Sequence, residues 1–128
     1  MYSHDFGSLE QPVRCVVRRA EDWAALWTAM RRNVHVSPPA PPPPVDFGAR
    51  MVLLAGMGTR PTAGYGIAIT GVRRTGAGVV VQVVQSTTGG CEVGMAETEP
   101  IHAVSIPRAD APVQFVENVR YGSHCEPP

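Results

Sequence analysis

Arg50-Met51-Val52-Leu53-Leu54-Ala55-Gly56-Met57 is the stretch that decides the fold, because Met51-Val52-Leu53-Leu54-Ala55 is apolar without interruption. A strand wetted on one side alternates apolar and polar residues, whereas a continuous run predicts a strand covered on both faces.

The flanking sequence predicts what surrounds it. Upstream, Val13, Cys15 and Val17 alternate with Arg14 and Arg18, the pattern of a half-buried strand. Over residues 20–32 the period changes: Trp23, Leu26, Trp27 and Met30 fall at i, i+3, i+4 and i+7 and make one apolar stripe. Glu21 and Asp22 suit the first turn of that helix, and Arg31 and Arg32 suit its end. Downstream, strands are expected over residues 67–72, 79–85, 101–106 and 113–119, with a hairpin connection at Arg73-Arg74-Thr75-Gly76-Ala77-Gly78. The expected fold is α+β: one helix packed on a largely antiparallel sheet of about six strands, in a single compact domain over residues 11–120. Residues 1–10 are expected to be a disordered N-terminal segment, and 121–128 a tail without periodicity.

Composition narrows the functions open to the chain. Its 128 residues suffice for one core without a metal or disulfide. Eleven basic residues balance eleven acidic ones and the pI is near 6.9, so there is no electrostatic footprint for nucleic acid or an anionic membrane. Every basic residue is arginine, which excludes lysine-dependent chemistry. No apolar run approaches the roughly 20 residues of a membrane-spanning helix, so no membrane insertion is expected. Residues 1–10 lack a basic-then-apolar signal pattern, and the compartment is left open.

Residues 37–45 hold prolines at 38, 39 and 41–44, a run that favours polyproline geometry. It reads either as a ligand for an SH3-like or WW-like groove or as a stiff crossing from helix to sheet. Its place between two structured elements favours the crossing.

The most unusual stretch is Gly56-Met57-Gly58-Thr59-Arg60-Pro61-Thr62-Ala63-Gly64-Tyr65-Gly66. A phosphate loop would need a lysine and a helix start, whereas this one leads into Ile67-Ala68-Ile69. Its glycines suit positive φ and close backbone approach at a strand-to-strand turn. Arg60, Pro61, Thr62, Gly64 and Tyr65 are the candidate partner-binding residues, since arginine and aromatic side chains anchor interfaces.

No catalytic, cofactor-binding or metal-binding residues are assigned. His4, His35, His102 and His124 lack metal spacing, and His102 falls within a strand, where a satisfied imidazole is the plain reading. Glu92, Glu97 and Glu99 share a loop and read as a solvated face. Cys15 lies on the apolar side of its strand as a core thiol. Cys91 and Cys125 sit in irregular segments, where a disulfide between them is open to an exported protein. An enzyme would need a pocket with a shifted titratable group, expected near Cys91 or His102.

Several features in order resemble the C-terminal domain of the PrcB family, named for a protease-complex subunit. They are Trp23 and Trp27 with Leu26, Val45-Asp46-Phe47 before Met51-Val52-Leu53, and the turn Gly58-Thr59-Arg60-Pro61-Thr62-Ala63-Gly64-Tyr65. Gly89-Gly90-Cys91, Pro100, His102-Ala103-Val104 and Ile106-Pro107-Arg108 follow, so the resemblance spans about residues 13–116. It implies a small non-catalytic domain that supports or stabilises a protein partner, such as a protease, commonly on exported or lipid-anchored bacterial proteins. Arg60-Pro61-Thr62-Ala63-Gly64-Tyr65 is also similar to the Asn-Pro-Thr-Thr-Gly-Tyr loop of chagasin-like inhibitors, which implies an alternative role as an inhibitor of cysteine peptidases.

Overall fold

The computed structural model describes residues 2–4, 7–34, 37–88 and 94–121. Among these described residues seven strands and one helix follow in the order β1 (Tyr2–His4), β2 (Pro12–Val17), α1 (Ala20–Met30), β3 (Arg50–Met57), β4 (Gly66–Thr75), β5 (Gly78–Thr87), β6 (Ile101–Pro107) and β7 (Val113–Tyr121). The strands do not form the single sheet expected. They divide into a four-stranded sheet, β1-β6-β3-β2, and a three-stranded sheet, β4-β5-β7. Every pairing is antiparallel except β5 with β7, which is parallel.

The apolar run of β3 explains the layering. Successive side chains of a strand point to opposite faces. Met51, Leu53, Ala55 and Met57 enter a core shared with Ile67, Ile69, Val79, Val81 and Val83 of the second sheet. Val52 and Leu54 enter the opposite core, shared with Val17, Trp23, Trp27, Met30, Ile101 and Ala103. One strand thus serves two interfaces, with α1 on one side of the first sheet and the second sheet on the other.

The helix stripe packs as its spacing predicts: Trp23, Trp27 and Met30 are buried. After Arg31 the chain turns back, and the proline run crosses the tryptophans. The Trp27 Nε1–H donates to the carbonyl of Ala40 and the Trp23 Nε1–H to that of Pro43, each at 3.0 Å. Those two bonds give the run its role as a stiff crossing from helix to sheet.

Two local expectations change. Tyr2–His4 lies inside the segment expected to be disordered, yet it pairs with β6 in the register Tyr2↔Ala103 to His4↔Ile101. Gly7 and Ser8 are buried, and the Gly7 N–H donates to the Glu99 carbonyl at 2.9 Å. The hairpin connection also shortens to Gly76-Ala77, because β4 and β5 remain paired out to Thr75↔Gly78.

Arginines tie the layers together. Arg14, on the polar side of β2, faces the second sheet and grips Glu117 of β7 with two bonds, Nε–Oε2 at 2.9 Å and a terminal nitrogen to Oε1 at 2.8 Å. Those charge-assisted bonds hold the Glu117 carboxyl below its ordinary range. At that same edge Arg18 donates to the carbonyls of Ala109 and Ala111, while Arg108 donates to those of Arg18 and Phe47.

Candidate interaction site

The glycine-rich turn carries the chain from β3 in the first sheet to β4 in the second. Residues 88–100 make the return journey, from β5 to β6. These crossovers lie side by side and are bonded to each other. Arg60 N–H donates to the Thr98 carbonyl at 2.7 Å and Thr98 N–H to the Arg60 carbonyl at 3.0 Å, an isolated antiparallel bridge. The buried Thr98 hydroxyl donates to the Thr62 carbonyl at 3.0 Å, and Ala63 N–H donates to the Gly94 carbonyl at 3.0 Å.

The glycines do what the sequence reading asked of them. Gly58 has φ +77° and Gly64 φ +90°, conformations that side chains disfavour. Space matters as well at Gly58, where a Cβ would come within 2.9 Å of the Glu10 carbonyl and the Pro12 backbone. The neighbouring Thr59 N–H bonds the Glu10 carbonyl at 3.0 Å, so this backbone is held against the start of β2.

The five candidate residues therefore share one braced turn, but they do not all face outward. Pro61 and Gly64 are exposed, whereas Arg60, Thr62 and Tyr65 are half-buried. Tyr65 packs on the core between the sheets. The Arg60 guanidinium carbon sits 5.5 Å from the centre of the Tyr65 ring, a cation–π contact. Arg60 Nε is buried and finds no acceptor among the described residues. A guanidinium in that setting retains an unused, directional donor. Met95, on the adjoining crossover, is 82% exposed and adds an apolar side chain beside the turn.

The sequence reading missed Thr98 and Met95. Thr98 stands between two glutamates in an aperiodic stretch, and its side-chain partner is a backbone carbonyl 36 residues away. Nothing local marks such a residue. Among the acids of that loop, Glu97 is exposed and Glu99 half-buried.

His102 has a structural partner. On β6 it accepts the Ile69 N–H at Nδ1, 2.8 Å away, and burial pushes its pKa down. Cys15 is a half-buried free thiol whose pKa burial raises. The bridge considered between Cys91 and Cys125 lies outside the described residues. Among the described residues no cluster of His, Cys, Asp and Glu could hold a metal ion, and no helix is long and apolar enough to cross a membrane.

This arrangement defines a helix-backed pair of small sheets whose crossovers form a braced surface at one end. Residues 51–107, from the apolar run of β3 to the end of β6, match the family model described as PrcB C-terminal. The matched span contains the turn, Thr98 and His102, while α1 and the proline run precede it. No curated protein and no solved structure matches the chain.

Proposed function

We propose that this chain is a non-catalytic protein-interaction domain that associates with and stabilises a protease or another exported partner, and that Arg60, Pro61, Thr62, Gly64 and Tyr65 form the contact. The match to the PrcB C-terminal family, an accessory and non-catalytic type, supports the class of function. The observation that carries the site is Arg60: half-buried on the braced turn, its guanidinium is held over Tyr65, and its exposed part would take a carboxylate or carbonyl from a partner. Exposed Pro61 and Met95 flank it with apolar surface that a partner could cover without ordering a flexible loop.

The test is co-purification from lysate and secreted fractions of the source organism, using the wild type with Arg60→Ala and Met95→Asp as controls. A peptidase retained by the wild type and lost by both variants is the expected result. Retention of nothing, or equal retention by all three, would overturn the reading. An activity assay on the retained complex separates support from inhibition, since a chagasin-like role would suppress a cysteine peptidase through the same turn.

A further inference from the structure

The proline run is engaged on one side only. Ala40, Pro41, Pro42 and Pro43 each precede a proline, which pushes them into extended geometry, and the rings fix φ at Pro41–Pro44. Such a run favours a left-handed helix of three residues per turn. The two indole bonds follow that repeat, since they reach the carbonyls of Ala40 and Pro43, one turn apart. Pro41 and Pro44, also one turn apart, remain exposed, as do Pro38 and Pro39.

Beside the run lies a groove of about 740 Å³, lined by Trp27, Thr28, Arg31, Ser37, Pro39 and Ala40. The Arg31 guanidinium stacks over the Trp27 ring at 5.0 Å, and Arg32 is exposed next to it. Among the described residues neither arginine is paired with a carboxylate. Two adjacent positive charges thus flank the proline ridge, with no carboxylate paired to them among the described residues.

We infer that this ridge is a second docking surface, the ligand of a partner domain whose groove is lined by aromatic rings and rimmed by carboxylates. Pyrrolidine rings about 9 Å apart, the length of one such turn, fit between aromatic side chains. Because Trp23 and Trp27 already hold the run in place, binding orders little new chain. Arg31 and Arg32 supply the charge that meets an acidic rim, and they fix which end of the ridge the partner covers. The surface lies on the helix side of the first sheet and does not depend on the protease-associated reading.

The experiment titrates the isotope-labelled protein with purified SH3, WW and EVH1 domains as probes, following chemical shifts. Saturable binding is expected, with shifts at Arg31, Arg32, Ala40 and the two indole N–H groups. Pro41→Ala/Pro44→Ala should weaken it roughly tenfold, equivalent to about 1.4 kcal/mol, with an unchanged melting temperature. Arg31→Glu/Arg32→Glu should weaken it too, and more at low salt than at high salt. Should the proline variant lose its fold, the arginine variant decides alone. Absence of binding by every probe, shifts that map elsewhere, or binding indifferent to the arginine pair would overturn the inference.

Discussion

His102 Nδ1, on β6 of the first sheet, accepts the backbone N–H of Ile69, on β4 of the second, at 2.8 Å. β4 is an edge strand, so its outward N–H groups have no strand to meet. The register with β5 shifts just after Ile69. The imidazole supplies the missing acceptor and ties the sheets together where the ladder is irregular.

That bond requires an unprotonated Nδ1, and it sets a pH dependence. Burial lowers the folded-state pKa of His102 from its ordinary value near 6.5, so the unfolded chain binds more protons in that range. Stability should therefore fall as pH drops below about 6.5 and level off once pH passes the folded-state value. His102→Phe should cost about 1–3 kcal/mol at pH 7.5, because it orphans the Ile69 N–H, and should flatten the decline. Thermal melts of both proteins from pH 7.5 to 5 check this; equal slopes would refute it.

Trp27 combines burial with a bond to the proline run, and two substitutions separate these roles. Trp27→Ala should destabilise by about 3–5 kcal/mol in urea titrations. Trp27→Phe keeps one aromatic ring in the core but loses the indole N–H and part of the bicycle's volume, and should cost less than alanine, about 1–3 kcal/mol. A loss below about 1 kcal/mol for alanine would mean that α1 does not pack on Val52 and Leu54.

Thr98→Val removes one hydroxyl from the brace and leaves the Thr62 carbonyl without its donor. The expected cost is about 1–2 kcal/mol, accompanied by faster amide exchange at Arg60 and Ala63 than elsewhere. Unchanged exchange at those two amides would show that the turn keeps its shape without Thr98. Arg60→Ala together with Tyr65→Ala should also lower the melting temperature, since Tyr65 belongs to the core.

How much of this was legible depended on distance along the chain. The stripe of Trp23, Leu26, Trp27 and Met30, the alternation around Cys15 and the unbroken run of β3 are local repeats, and each became the expected element. The positive φ of Gly58 and Gly64 was likewise readable, because glycine tolerates it locally. β1 carried no repeat, being three residues long and held through its backbone to β6. The candidate site was half legible: the turn stood out, but not that Arg60 and Tyr65 lean on each other, nor that Thr98 braces the turn.

By itself the sequence determined α1 and the strands from β2 onward, and that β3 would be covered on both faces, because side-chain periodicity records burial directly. Only the tertiary structure decided that the strands split into two sheets, that β7 runs parallel to β5, and that Arg14 reaches Glu117. The physical reason is that strands join through backbone hydrogen bonds common to every residue. Burial tells a strand which face turns inward, while its neighbour is chosen by how the whole core packs.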